Sequence, residues 1–302
     1  MKNKICIIGP GVVGQATGKV FVKLGIETVF LGGNPEKTKK LREEGYIAYT
    51  RNELFDGNYD FDISMLIVPT PTINGEINFS AITSASINLG KRLKLRKKQN
   101  YHLVVVKSTV PPGTSESLVA NLIEENSGLK LGRDFGLCMN PEYLREVSAY
   151  EDSLKPWVIL IGQYDKKSGD ILESVYKKFK CPIFRCSLKE AEFQKYVHNL
   201  FNSTKITFFN EMREIGKKSD LNTKKIFEIT ALSSEGMWNE KYGIKDLGPF
   251  SGSCLPKDTQ AFLKWVHSNG ADAHLLKTII EVNDTLSSMN GAAKKTVIGS
   301  DL

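Results

Sequence analysis

Short apolar runs alternate with amphipathic stretches through the first part of the chain. Lys4-Ile5-Cys6-Ile7-Ile8 runs into Gly9 as a strand buried on both faces would. Similar runs recur at Glu27–Leu31, Ile63–Val68, Leu103–Val106 and Val158–Ile161. Between them Val12–Leu24, Lys37–Glu44, Phe79–Leu95, Ser115–Glu125 and Ser168–Phe179 read as helices. Alternation of this kind predicts βαβ units and a doubly wound α/β sheet. From Ser187 the pattern is helical only. Ser187-Leu188-Lys189-Glu190 is a capping box, and Phe193, Val197, Leu200, Phe201, Thr204 and Phe208 mark one apolar face of a helix reaching about Gly216. Asn222–Leu232, Lys257–Ser268 and Asp272–Ser288 follow as further helices, with a Gly/Pro-rich loop from Gly243 to Pro256. The expected organisation is an α/β domain over residues 1–186 and an all-helical domain over 187–302.

Composition narrows the class. With 41% hydrophobic and 25% charged residues the 302-residue chain is globular. Its first apolar stretch is too short for a signal peptide, and no run approaches the ~18 apolar residues of a membrane span. A soluble, cytoplasmic protein without membrane contacts is expected. Cysteines 6, 138, 181, 186 and 254 form no CxxC pair and no His cluster accompanies them, so no metal is expected. They read as thiols in a reducing compartment, one of them available as a nucleophile. The net charge of +7 comes partly from Lys37–Arg42 and Lys91–Lys98. Solvated helix faces explain these stretches better than nucleic-acid binding, for which no signature is present.

Gly9-Pro10-Gly11-Val12-Val13-Gly14 is the first motif with chemistry in it. In GxGxxG the first glycine permits a tight turn, the second lets backbone approach a pyrophosphate, and the third lets helix and strand pack closely. The helix N-terminus then offers N–H donors and a positive dipole to phosphates. Placed between a strand and a helix, it predicts a dinucleotide-binding Rossmann domain. One part is missing: where the second strand of such a fold ends in Asp or Glu, this chain has Gly32-Gly33-Asn34. NAD remains the expected cofactor, with NADP open because Lys37, Lys39 or Lys40 could receive a 2′-phosphate and Asn34 the ribose.

Four further segments carry a resemblance. Val68-Pro69-Thr70-Pro71-Thr72, Ser108-Thr109-Val110-Pro111-Pro112-Gly113-Thr114, Asn140-Pro141-Glu142-Tyr143-Leu144-Arg145-Glu146 and Gly252-Ser253-Cys254-Leu255-Pro256-Lys257-Asp258-Thr259 stand in that order, with Lys195-x-x-x-Asn199 before the last. Together with the glycine loop they resemble the UDP-glucose/GDP-mannose dehydrogenase family over nearly the whole chain. The resemblance implies oxidation of a nucleotide sugar's primary alcohol to the uronate, a place in polysaccharide biosynthesis, and a homodimer paired through the long helix Asp272–Ser288. Leu275, Leu276, Ile279, Ile280 and Val282 crowd that helix.

Full oxidation of an alcohol needs two hydride acceptors in turn and a group to hold the aldehyde between them. A thiolate does this as a thiohemiacetal and then a thioester. Cys254, before Pro256 and beside the start of a helix and Lys257, is the candidate nucleophile; the plainer alternative is a small buried hydrophobe. Lys195 and Asn199 share a helix face and suit an oxyanion or alkoxide, although the β-hydroxyacid dehydrogenases use the same pair and a solvent-facing lysine is the plainer reading. By resemblance Asp258 works with a water as general base, Glu142 in acid/base chemistry or thioester hydrolysis, and Glu146 near cofactor and substrate. Asn140-Pro141-Glu142 also reads as an N-cap with proline at the first helical position, putting Glu142 and Glu146 one turn apart. Thr109 would orient a water or the substrate at the sheet's carboxyl edge. The resemblance further assigns Pro69 and Thr70 to the cofactor, and Tyr143, Leu144, Gly252 and Lys257 to the substrate.

The chain departs from the family at Gly32, at Ser251, where glycine is usual, and at Pro156-Trp157-Val158, which lacks an arginine. Family members also continue into a second Rossmann-like domain holding the substrate's nucleotide, so a short form is expected. A single-step hydroxyacid-type dehydrogenase and a catalytically weak dinucleotide-binding or dimerisation module remain alternatives.

Overall fold

The strands that end in the predicted motifs lie side by side. The computed structural model describes residues 3–54, 60–96, 100–244, 248–252 and 254–298, with main chain alone at 290–298. Residues 97–98 of the second lysine-rich stretch, 245–247 of the Gly/Pro-rich loop, Ser253 and residues 299–302 lie outside them. The chain divides into two compact units, Met1–His198 and Asn199–Leu302.

In the first unit β1 (Ile5–Ile8), α1 (Val12–Lys23), β2 (Thr28–Gly32), α2 (Pro35–Glu43), β3 (Ala48–Thr50) and β4 (Ile63–Leu66) build one half of the sheet. A small hairpin, β5 (Thr72–Ile73) and β6 (Glu76–Ile77), precedes α3 (Ser80–Lys94) and β7 (His102–Val106). A π-helical segment, Ser115–Ala120, runs into α4 (Asn121–Ser127), and β8 (Phe135–Met139) follows. Then come α5 (Ala149–Leu154), β9 (Ile159–Gln163), α6 (Lys166–Tyr176) and β10 (Ile183–Ser187). The sheet order is β10-β9-β8-β7-β4-β1-β2-β3. From β3 to β8 neighbouring strands are parallel, and β9 pairs antiparallel with β8. The order reverses between β1 and β4, where an α/β sheet opens a ligand crevice.

Both faces of the sheet are covered, as a parallel sheet requires. Cys6 and Ile8 pack in one apolar layer with Leu66, Leu89 and Val106. Ile5 and Ile7 turn to the other, with Phe21, Phe30 and Leu172.

The capping box forms: Ser187 donates from both its amide and its hydroxyl to Glu190, and the Glu190 amide donates to Ser187 Oγ at 3.3 Å. It starts α7 (Leu188–Lys218), which passes the division between the units. The second unit adds α8 (Thr223–Ser233), α9 (Glu235–Trp238), α10 (Leu255–Ser268) and α11 (His274–Ile298). Its core is Ile215, Val266, Ala271, Ala273 and Leu276, with Met212, Leu263 and Ile280 against them. Glu211 accepts from the amides of Leu275 and Leu276, capping α11 from a neighbouring helix. Among the described residues no helix is long and apolar enough to cross a membrane.

The structure corrects the expected elements in several places. β3, β8, β10 and the β5–β6 hairpin add to the predicted strands. β8 reads Phe-Gly-Leu-Cys-Met, with no β-branched residue and a glycine inside. A Cβ at Gly136 would lie 2.2 Å from Ser168 Oγ and 2.4 Å from Tyr101 Oη, so the packing demands glycine in that strand. The hairpin turns on Asn74 and Gly75 with φ of 52° and 83°, a two-residue turn that Asn-Gly favours. In α11, Leu276 and Ile280 face the unit's own core, so not all of its apolar residues are left for a partner.

Candidate active site

A cleft of about 600 Å³ opens along the carboxyl edge of the sheet. It is floored by the loop after β1. Gly9 has φ +101°, and a Cβ there would lie 2.3 Å from Ile67 O; one at Gly14 would lie 2.3 Å from Gly9 O. Neither position has room for a side chain. Gly11 is the opposite case: nothing stands within 4 Å of where its Cβ would be, so the main chain is open to the cleft. Gly11 N-caps α1 and no side chain caps that helix, so its first N–H groups face a site suited to a pyrophosphate. This cradle fits a dinucleotide.

The cleft gathers most of the residues predicted for the cofactor. Val12, Val13, Asn34, Lys37, Pro69, Thr70 and Thr109 line it with the three glycines, and Glu142 closes one end. The Asn34 side chain accepts from the Lys37 amide at 3.0 Å, capping α2. Ser108 holds the Pro69-Thr70 turn: its hydroxyl donates to Val68 O at 2.7 Å and accepts from Val68 N at 2.9 Å. Thr70 Oγ1 then donates to Thr109 O at 2.7 Å, tying the loop after β4 to the loop after β7. Glu146 is not brought to the cleft; it begins a short 3₁₀ turn and is exposed.

Residues 140–145 carry no regular secondary structure, which corrects the expectation of a helix starting at Pro141. The reason is that Asn140 is spent on the core and caps nothing. It is 2% exposed; its amide donates to Leu160 O at 2.8 Å, and its Oδ1 accepts from Lys107 and from the Tyr176 hydroxyl. Further on, Asp152 accepts from the Arg145 amide and guanidinium and holds the segment open. Glu142 and Glu146 therefore share no helix face.

This segment carries Glu142 to Lys195. The Lys195 side chain is almost fully buried, and its ammonium donates to the main-chain oxygen of Glu142 and lies 3.3 Å from its carboxylate. The other carboxylate oxygen accepts from Leu144 N at 2.6 Å. Tyr143 donates to Gln194, and the Lys195 ammonium lies 5.4 Å from its ring centre. The solvent-facing reading of Lys195 is excluded by this burial.

Three residues in this region were not picked out from the sequence. Lys107, at the end of β7, donates to Asn140 Oδ1 at 2.8 Å; burial pushes its ammonium down to about 8, with Glu142 opposing and Lys195 adding to the shift. A lysine closing a buried strand at the ligand edge was the available signal. Glu192, fully buried on α7, accepts from the amides of Gly113 and Ser115 and fixes the loop carrying Thr109. Nothing local marks it. Arg51, after β3, lines the far end of the cleft.

In the second unit Cys254 is exposed at the N-cap of α10, with Pro256 in the first turn, and its carbonyl accepts from Asp258 N at 2.8 Å. Asp258 is paired with Lys257. Gly252 takes φ +90°, and the preceding loop is held by Asn283, which exchanges hydrogen bonds with the Phe250 main chain. Asn199, one turn beyond Lys195, is exposed and belongs to this unit.

Comparison with known proteins converges on one family. Residues 50–180 match the NAD binding domain of the UDP-glucose/GDP-mannose dehydrogenase family, and residues 189–285 match its central domain. A GDP-mannose 6-dehydrogenase of Pseudomonas syringae pv. tomato is 37% identical over 223 residues, covering 74% of this chain and 50% of that protein. UDP-glucose 6-dehydrogenase AglM of Haloferax volcanii is 30% identical over 306 residues, covering 93% of this chain and 69% of its own. The crystal structure of a ternary complex of GDP-mannose dehydrogenase from Pseudomonas aeruginosa superposes with TM-score 0.86 at 28% identity, over 100% of this chain and 72% of that one. The chain thus spans about half the length of the first of these relatives. With the glycine cradle, the buried lysine–glutamate pair and the cysteine at a helix start all in place, the chain belongs to the UDP-glucose/GDP-mannose dehydrogenase family.

Proposed function

We propose that the chain oxidises the primary alcohol of a nucleotide sugar to the carboxylate in two hydride steps, with residues 1–186 as dinucleotide domain and 187–302 as helical domain. The observation that carries this reading is the burial of Lys195 against Glu142, at the end of the cleft lined by the glycine loop. Gly9, Gly11 and Gly14 would hold the dinucleotide, which would supply the hydride acceptor, one molecule for each step. The Lys195 ammonium, with Asn199, stabilises the alkoxide oxygen as the alcohol loses its proton and hydride. The Cys254 thiolate then adds to the aldehyde carbon to give a thiohemiacetal. Loss of a second hydride leaves a thioester. A water oriented by Asp258, Glu142 or Thr109 attacks it, and the carboxylate and the thiol are released. Two oxidised cofactors are reduced per substrate.

The test is stoichiometry with UDP- and GDP-sugars. Two reduced nicotinamides per carboxylate support the reading; one per aldehyde or ketone product indicates the single-step hydroxyacid type. No turnover by a chain that binds the cofactor indicates a binding module. We propose further that the chain forms a homodimer through its helical part. Phe193, Val197, Leu200 and Phe201 on α7 are 60%, 47%, 61% and 62% exposed, an apolar row that a second copy would cover. A monomer by light scattering at micromolar concentration would refute this.

A further inference from the structure

The end of the cleft farthest from Glu142 is chemically unlike the rest. Strand order puts Arg51 after β3 and Glu142 after β8, five strand spacings or about 24 Å apart across the sheet edge. A dinucleotide lying along that edge with its nicotinamide near Glu142 has its adenosine under β2 and β3. There an NAD site places a carboxylate to accept the ribose hydroxyls, and that carboxylate repels a 2′-phosphate. This chain has Gly32 and Gly33, and Glu142 is the one carboxylate among the described residues lining the cleft.

The space is taken by a cation. A Cβ at Gly33 would lie 3.0 Å from Arg51 Nε and 3.1 Å from its Cζ and Nη2, so the guanidinium lies over the glycine and any side chain there would push it away. Its main chain is anchored: Arg51 O accepts from Arg92 Nη2 at 2.6 Å. The nearest acid in the chain, Glu53, is engaged elsewhere. Both its oxygens accept from Arg42, and one also accepts from the amide and hydroxyl of Thr50. These bonds, Arg42's first, hold its carboxyl down at about 2. Among the described residues no carboxylate forms an ion pair with Arg51. Lys37, in the first turn of α2, lines the same end, whereas Glu36 beside it is exposed and does not.

We propose that Arg51, laid over Gly33 and assisted by Lys37, recognises a 2′-phosphate, so that the preferred dinucleotide is NADP. The inference rests on the dinucleotide reading of the cleft and deepens it. A guanidinium offers a phosphate two parallel donors in fixed geometry, a charge-assisted contact that a ribose hydroxyl cannot match. The two glycines remove the negative charge and the bulk that would exclude the phosphate.

The test is calorimetry on the full chain with NADP, NAD, 2′,5′-ADP and 5′-AMP. Wild type should bind NADP and 2′,5′-ADP roughly tenfold or more tighter than NAD and 5′-AMP. Arg51→Ala should abolish most of that difference while leaving NAD affinity within about twofold, and Arg51→Lys should retain part of it. The anchoring bond uses the main-chain oxygen, so these variants keep it; an unchanged melting temperature checks the fold. Equal or tighter binding of NAD by wild type, or equal weakening of both dinucleotides in Arg51→Ala, would overturn the proposal. Binding of neither dinucleotide would remove the cofactor reading itself and the proposal with it.

Discussion

Lys195 and Glu142, 53 positions apart in the chain, meet through a buried ammonium that contacts both the main-chain oxygen and the carboxylate of the glutamate. Burying such a cation is costly unless it is paired, so the contact fixes Lys195 beside the cleft in one orientation. A charge pre-placed in this way requires little reorganisation when negative charge develops on a substrate oxygen.

Removing that charge should therefore act on turnover. Lys195→Ala is expected to lose on the order of 100-fold in turnover, with dinucleotide affinity little changed. Steady-state formation of reduced nicotinamide, beside a cofactor titration, checks both. Turnover at the wild-type level would leave Lys195 a packing residue.

Cys254→Ser should stall the second oxidation. A serine hydroxyl is a weaker nucleophile than a thiolate and captures the aldehyde poorly, so the variant should release about one reduced cofactor per substrate and then slow. Two-cofactor turnover at the normal rate would remove the nucleophile role. In the unmodified protein iodoacetamide should reach exposed Cys254 well before Cys6 and Cys138, both fully buried in strands. Peptide mapping over a time course reads the order.

Two alanine substitutions in the glycine loop should separate binding from folding. Gly11→Ala puts a methyl group into open cleft, so the melting temperature should hold while dinucleotide affinity falls about tenfold or more. Gly14→Ala sets a methyl group against Gly9 O, so the melting temperature should fall with the affinity. Unaltered dinucleotide binding by Gly11→Ala would show that the ligand does not approach the loop there.

His102 should make the first unit acid-sensitive. Its ring is fully buried between Ser64 Oγ at 2.8 Å and Phe61 O at 3.0 Å, and burial, then the Arg96 charge, push it down to about 3. An unfolded histidine takes up its proton near pH 6.5, so between pH 6.5 and 3 the unfolded state binds the extra proton. Stability is complete above that window and falls through it, by on the order of 5 kcal/mol. His102→Phe should start less stable, having lost the bond to Ser64, yet show a flatter decline. Urea unfolding at pH 7, 6, 5 and 4 compares the slopes; equal slopes would assign the acid sensitivity to other groups.

What could be read in the chain is what neighbours in sequence decide. The run of Ile5–Ile8, the turn at Gly9–Gly14 and the start of α1 are contiguous, so strand, loop and helix were legible together. The capping box at Ser187–Glu190 and the spacing of Lys195 and Asn199 follow from the pitch of one helix. Gly32-Gly33 was visible as a missing carboxylate. What replaces it was not, because Arg51 reaches Gly33 only once β3 lies beside β2. The same holds for Asn140: its sequence neighbours suggest a helix cap, yet Lys107, Leu160 and Tyr176 claim its side chain from three other elements. Glu192 holds two amides from the loop after β7, and Lys195 holds Glu142, because strand order brings α7 to those loops. Local spacing and the family resemblance picked out the candidate groups, while the order of strands decided which of them are buried, which are paired, and which face the cleft.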